Sequence, residues 1–460
     1  TGGVRGVFLD TATGVAYRAR SEVSGSTYGG RMLYNTVDGV TVTSVIGTSL
    51  ADEFGSGQTW GDVVVNLGDG NDFSYKTAFT NTADISFGAG DDIAQIKMSA
   101  SDLSALNTVK FDGGAGSDTL YFEESTLTSG YTLDLTEGGA TNFENITGSN
   151  ADEIINGDAN ANILKGGKGF DKLYGFGGND TLYSQSTAYA SGITDNSELY
   201  GGTGDDTLYG SDGDDQIDGG AGADTIKSGA GSDTLVLRAG DGGSTLADAD
   251  TITDFTDGTD ALGLDDGLQY TDLTIAQGTG SNVNDTIISQ GSEYLAILTG
   301  IDVSTVNYLD FASMATGNQT LSGTSGDDVL LGAAGIDTAT TNTGADVVLT
   351  YGGDDTITVD GSGNKTIDGG SGTDSLNITS ISNLSSTTDL LLANDGSYFN
   401  LTFIDGSVVS TSNLEDLQVS GVDYGVYDYN AYEIGGGTTG GVRGVFLDTA
   451  TGVAYLARSE

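Results

Sequence analysis

The chain has 460 residues, no His, Cys or Pro, and a formal net charge of −51 from 66 acidic against 15 basic side chains. Without His or Cys there is no Ser-His-Asp triad, Cys-His pair, HExxH site or thiolate zinc site. The acidic balance excludes a nucleic-acid partner, which needs a basic face, and no run of about 20 apolar residues could span a membrane.

At this length a single compact core is too large, whereas a solenoid or several domains is normal. Glycine is the other excess, at 75 residues. So much like charge keeps a chain expanded unless cations neutralise it. No G-x-S-x-G elbow, P-loop or dinucleotide fingerprint occurs, and no signal-peptide pattern opens the sequence. With this many aspartates, paired carboxylates carry no information about acid–base catalysis, and no enzymatic activity is expected.

Residues 1–50 read as strands. VRGVFLD, a TATG turn and VAYRARS predict a hairpin, basic for this chain, with Arg5, Arg18, Arg20 and Arg31 in the segment. Residues 51–146 predict an irregular β-solenoid. LGDGNDFSY, FGAGDDIAQ and GGAGSDTLY carry Asp72, Asp92 and Asp118 at spacings of 20 and 26 residues, so strand or loop is inserted between turns. Asp118 is the stronger metal candidate, because Ser74 stands where the repeat after Asp72 should be apolar. ASDLSALN at 100–107 reads as a single helical turn.

A regular roll is expected over 147–236. TGSNADEII, NGDANANIL, GGKGFDKLY and GFGGNDTLY give Asp152, Asn162, Asp171 and Asp180 in phase, and 184–200 reads as a polar surface insertion. Residues 201–236 then read GGTGDDTLY, GSDGDDQID, GGAGADTIK, SGAGSDTLV. Asp206, Asp215, Asp224 and Asp233 hold the sixth place; Leu208, Ile217, Ile226 and Leu235 hold the eighth. Glycine permits positive φ and a tight turn that aims carbonyls at one point. The x-apolar-x half is a short strand with one inward side chain. Two nonapeptides make one coil of a parallel solenoid, so Asp206 stacks over Asp224 and Asp215 over Asp233. Two carboxylates and several turn carbonyls form an all-oxygen cage, which suits Ca2+ better than Mg2+. A flexible linker would not keep the eighth place apolar four times in phase.

Glycine thins over 237–322, which reads as a β-rich closing cap over the solenoid's open end. A second roll is expected over 323–377, from GTSGDDVLL, GAAGIDTAT, TNTGADVVL, TYGGDDTIT and, after one slipped repeat around Asn364, GGSGTDSLN. Its phased residues are Asp328, Asp337, Asp346, Asp355 and Asp374. The glycine code is weaker there, so some of these sites are expected to be empty. Residues 378–438 read as a second β-rich cap. Residues 439–460 then repeat 1–22 with one difference, Leu456 for Arg18, at an offset of 438 residues. The simplest account is a window on near-identical tandem copies, with 439–460 starting the next; the alternative is a terminal duplication that docks one molecule onto the next. Six of the seven arginines lie in 1–31 and 439–460, so positive charge concentrates at the junction.

The G-G-x-G-x-D-x-U-x pattern, and the stretch NFENITGSNADEIINGDANANILKGG before it, resembles the RTX (repeats-in-toxin) family, strongly over 113–377 and more weakly over 60–112. The resemblance implies an all-β fold: parallel β-roll segments with β-rich caps, several bound Ca2+ ions, and type I secretion to the extracellular cell surface. The catalytic and membrane-inserting segments of the family's toxins, proteases and lipases are missing, so the chain is closer in character to RTX surface-layer, filament and giant adhesin proteins. The expected function is a calcium-stabilised structural protein that polymerises with itself into a cell-surface filament or layer, with a cell-surface glycan anchor left open. Alternatives are a giant adhesin or gliding-surface protein, and the secretion module of a larger exported protein.

Overall fold

The apolar eighth place of each nonapeptide sets the architecture of this chain, as seen in a computed structural model. The structure describes residues 5–10, 15–20, 28–32, 36–37, 40–41, 44–54, 59–60, 63–79, 83–98, 109–124, 131–135, 140–185, 194–380, 391–394, 399–402, 408–414, 416–419, 422–425, 443–448 and 453–458. Alternate residues of a strand face opposite sides, so one inward apolar residue per repeat is enough to build a core when coils stack in register. The register does this. Leu120, Ile146, Leu164, Leu182, Leu208, Ile226 and Ile252 form one column of parallel partners. Leu133, Ile155, Leu173, Leu199, Ile217 and Leu235 form a second. None of these thirteen is more than 1% exposed. The fold is therefore the all-β parallel roll that the repeats imply. The helical elements among the described residues are three-residue 3-10 turns; the helical turn expected at 100–107 lies outside those residues.

The chain forms two compact units, Thr1–Val236 with Gly240–Ala261 and Ile275–Thr305, and Leu237–Ala239 with Leu262–Thr274 and Val306–Glu460. Residues 237–322, expected as one cap, contribute to both. In the first unit the predicted hairpin forms from strands Arg5–Asp10 and Val15–Arg20, and its second strand pairs in parallel with Ser44–Thr48. Coils then continue through Val63–Gly68, Ala83–Ala89 and Val109–Ala115. At the other end, Glu293–Leu298 pairs in parallel with Asp250–Ile252 and antiparallel with Thr286–Gln290, covering an edge that would otherwise offer free N–H and C=O groups.

In the second unit, the columns are Leu321, Ala339, Ile357 and Leu376, and Leu330, Val348 and Ile367. Its far sheet closes as an antiparallel meander of Val408–Ser412, Phe399–Thr402 and Leu391–Asn394. The second copy of the hairpin, Arg443–Asp448 with Val453–Arg458, adds to Leu391–Asn394 through its first strand.

Candidate metal centre

In most turns the sixth residue is a buried carboxylate, with Asn162, Ser197 and Lys365 in its place in three of them, and the carboxylates form ladders. The N–H of one sixth residue donates to Oδ1 of the sixth residue in the next coil. In the first unit, Asp180 donates to Asp206 (2.6 Å), Asp206 to Asp224 (2.7 Å) and Asp224 to Asp250 (3.0 Å). On the other side Asp215 donates to Asp233 (2.9 Å) and Asp233 to Asp260 (3.2 Å). The irregular solenoid carries the same ladder without a break: Asp52 to Asp72 (2.6 Å), Asp72 to Asp92 (2.5 Å), Asp92 to Asp118 (2.8 Å) and Asp118 to Glu144 (2.7 Å). In the second unit Asp328 donates to Asp346 (3.0 Å), Asp337 to Asp355 (2.7 Å) and Asp355 to Asp374 (2.8 Å).

One backbone bond satisfies one oxygen; the other oxygen divides the turns into two kinds. Oδ2 of Asp92, Asp118, Asp171, Asp180, Asp206, Asp224, Asp233 and Asp355 is buried with no hydrogen-bond partner. In the same repeats the second residue has positive φ, as at Gly202 (+113°), Gly220 (+88°), Phe176 (+71°) and Tyr351 (+62°). There the pairing between coils runs on through that residue, Phe176 opposite Gly202 and Gly202 opposite Gly220, so it is committed to the sheet. Three other turns are closed. Ser211 N donates to Asp215 Oδ2 (2.6 Å), Thr324 N to Asp328 Oδ2 (2.6 Å) and Ala333 N to Asp337 Oδ2 (2.6 Å).

An open-turn carboxylate oxygen, buried and unpartnered, fits a cation. A lone buried charge is costly, and a hard ion takes six to eight oxygens. The first glycine of the repeat makes room for it: a Cβ on Gly219 would collide with Asp224 Oδ2, and a Cβ on Gly201 with both Asp206 Oδ2 and the Gly219 carbonyl. Among the described residues no three carboxylates converge on one point, so a cation held here draws its remaining ligands from turn carbonyls, as Ca2+ readily does. Such an ion supplies the positive charge that lets stacked carboxylates stay ionised. Without it, burial pushes the carboxyls up, with neighbouring carboxylates adding: Asp206 and Asp233 to about 6, Asp180, Asp215 and Asp224 to about 7, and Asp171 to about 8.

A second, outer ladder runs in the opposite sense on the fifth residues. Ala223 N donates to Asp205 Oδ1 (3.1 Å), Ser232 N to Asp214 Oδ1 (2.8 Å) and Phe170 N to Asp152 Oδ1 (2.8 Å). Asp152 therefore stands at a fifth place, not the sixth place expected for it. Ile155, not Ile154, pairs with Leu173, so the repeat starts one residue later and Glu153 takes the inner position, donating to Asp171 Oδ1 (2.9 Å). The inward residue decides the phase, and IleIle at 154–155 allows two readings.

Four further acids, Asp52, Glu144, Asp250 and Asp260, join the inner ladders without a full motif around them. Their signal was only their distance from the next rung, 20 residues for Asp52 and 26 for Glu144 and Asp250. Lys365 is the largest surprise. The slipped repeat is one residue longer, with the register shifting after Val359, so that Lys365 stands opposite Asp346 in the place of an aspartate.

These ladders define a calcium-binding parallel β-roll. Residues 156–186, 200–235, 315–337 and 331–361 match the RTX calcium-binding nonapeptide repeat. The chain thus carries RTX calcium-binding nonapeptide repeats, which bind several Ca2+ ions and indicate an exported protein. None of the curated proteins matches it. Among solved structures it is similar to the extracellular lipase LipA from Serratia marcescens, at 16% identity over 64% of this chain and 42% of that one, with a TM-score of 0.12. The chain spans less than half of that lipase's length, and no activity is carried over from it. No helix of the described residues is long and apolar enough to cross a membrane.

Proposed function

We propose that this protein is a non-enzymatic structural component that joins head to tail into a filament or layer on the cell surface. The observation that carries the reading is how the two copies of the hairpin pair. The first copy uses its second strand, Val15–Arg20 against Ser44–Thr48, and its first strand ends the sheet. The second copy uses its first strand, Arg443–Asp448 against Leu391–Asn394, and its second strand ends the sheet. The two edges are complementary. One hairpin could pair with the end of one copy through its first strand and with the start of the next through its second, giving a continuous sheet across the junction. An isolated hairpin is marginal in water, so pairing on both sides favours the joined form. Five of the seven arginines lie in the two hairpin copies of an otherwise acidic chain, where guanidinium groups suit carboxylates on either side.

The test is assembly with calcium present, imaged by electron microscopy. A chain of residues 1–438 keeps one hairpin and leaves the Leu391–Asn394 edge open, so it should form end-to-end assemblies. A chain of residues 23–438 lacks both copies and should remain monomeric. Assemblies of the second, or only monomers of the first, would refute the reading.

A further inference from the structure

We propose that the second residue of each nonapeptide decides whether its aspartate takes calcium. The sixth-place aspartate alone does not. In the open turns of Asp180, Asp206 and Asp224 the second residue lies at positive φ, and Oδ2 is buried without a donor. In the closed turns of Asp215, Asp328 and Asp337 the second residue is Ser211, Thr324 or Ala333, and its own N–H donates to Oδ2 at 2.6 Å. A carboxylate that already accepts at both oxygens, as Asp215 does from Ser197 N and Ser211 N, has its charge dispersed by two backbone dipoles. A calcium ion would have to displace one of them and would leave that N–H buried and unmatched. Sequence alone would rank Asp215 with Asp206, since both sit in G-x-x-G-D-D; the geometry separates them.

Two experiments decide it, each reading bound calcium per folded chain by native mass spectrometry. Asp206→Asn should lower the count by one, whereas Asp215→Asn should leave it unchanged. Ser211→Gly allows the second residue to swing to positive φ and should raise the count by one. Equal loss in Asp206→Asn and Asp215→Asn, or no gain in folded Ser211→Gly, would overturn the rule.

A separate observation concerns Lys365, and we infer that its ammonium permanently replaces calcium in its coil. Its Nζ lies 2.9 Å from Asp346 Oδ2, with both side chains wholly buried. The same nitrogen donates to the carbonyls of Gly344 (2.6 Å) and Ser362 (3.3 Å), one from each of two successive coils. A carboxylate oxygen and turn carbonyls from both coils are the donors a calcium ion would take; here they surround a side chain that cannot be chelated away. The pair therefore holds its two coils together at any calcium level. Hydrogen exchange on the intact chain in excess chelator should find amides of Asp346–Leu349 and Lys365–Asp368 still protected when those of Thr207–Tyr209 and Thr225–Lys227 exchange at least tenfold faster. Lys365→Asp should restore a calcium-dependent rung, folding in calcium with one more ion per chain. Equal exchange of both regions in chelator, an unchanged count, or failure of Lys365→Asp to fold in calcium would overturn the assignment.

Discussion

The repeats at 201–236 and those at 323–377 share a backbone and differ in what neutralises their carboxylates. In the first region Asp206, Asp224 and Asp233 each leave a buried oxygen without a donor. In the second, Asp328 and Asp337 are served by the N–H two residues into their own turns, and Asp346 by the Lys365 ammonium. Parallel strand pairing runs through both regions, whichever group serves the carboxylates. The metal requirement is local, written into single residues of each turn. Calcium removal should therefore bear harder on the first region than on the second, where Asp355 is the open turn.

Calcium removal is the widest way to test that contrast. Each saturated site adds about 2.7 kcal/mol at a ligand level a hundredfold above Kd. A few such sites equal the roughly 5–15 kcal/mol that holds a domain together. Chelator at neutral pH should therefore abolish most of the β circular dichroism, with the remaining signal belonging to the second region. Retention of the full spectrum in verified metal-free protein would show the open turns to be stable by themselves.

Asp346 and Asp224 should respond oppositely to that treatment. Asp346→Ala strands a buried ammonium, at about 3–5 kcal/mol, with calcium or without. Asp224→Ala removes a ligand when calcium is present. When it is absent, the same change deletes a carboxyl whose ionised form burial and neighbouring Asp206 both oppose. Thermal melting should thus find Asp346→Ala destabilised in both conditions, and Asp224→Ala destabilised in calcium only. Parallel shifts of the two variants would remove the distinction.

The repeat phase, the parallel register and most inner-ladder aspartates were legible because a nine-residue period with an invariant apolar place permits one stacking. The hairpin was legible at both ends from its alternation and its turn. What escaped the sequence had physical reasons. Ile154 and Ile155 are both apolar, so the strand phase at Asp152 was ambiguous by one residue. A one-residue slip after Val359 hid the phase of Lys365. The closed turns were readable in principle, since Ser211, Thr324 and Ala333 stand where other repeats have Gly. Phe176 and Tyr351 blur that signal: both are bulky residues at positive φ, a conformation such side chains seldom adopt.

Acid should substitute for calcium in the roll of the first unit, over 171–236. The folded pKa values of Asp171, Asp180, Asp206 and Asp224, about 8, 7, 6 and 7, lie above the ordinary carboxyl value. The metal-free fold therefore binds more protons than the unfolded chain. Its stability is fully present below about pH 4 and is lost as pH rises through 6 to 8. Metal-free protein titrated upward from pH 4 should lose β signal over that window, and calcium added at pH 7 should restore it with release of protons. A transition in the opposite direction would contradict the burial of these groups.

Room at the first glycine gives a smaller, sharper test. A Cβ on Gly219 collides with Asp224 Oδ2, whereas one on Gly317 meets nothing within 4 Å. Gly219→Ala should lose one bound calcium and melt lower. Gly317→Ala should bind the full number and melt at least as high, gaining about 0.4–1 kcal/mol from the stiffer unfolded chain. Matching calcium counts for the two would mean that the cradle can shift to accept a methyl group.

The smallest effect belongs to the outer ladder. Asp205 Oδ1 accepts from Ala223 N at 3.1 Å on the exposed rim, while Asp205 N donates to Asn179 Oδ1 at 3.2 Å. Asparagine already fills this place one coil earlier, so Asp205→Asn can keep the acceptor and remove only the charge. That charge raises the pKa of both Asp206 and Asp224, after the larger effect of burial. Two consequences oppose each other. Without metal, less repulsion steadies the stack; with calcium, one fewer carboxylate nearby weakens attraction for the ion. At an exposed site in physiological salt, where the screening length is about 8 Å, each should be under about 1 kcal/mol. Melting of Asp205→Asn should therefore rise slightly in chelator and calcium affinity should fall severalfold at most, with the number of ions unchanged. Loss of an ion would place Asp205 inside the cage, where the inner ladder now stands alone.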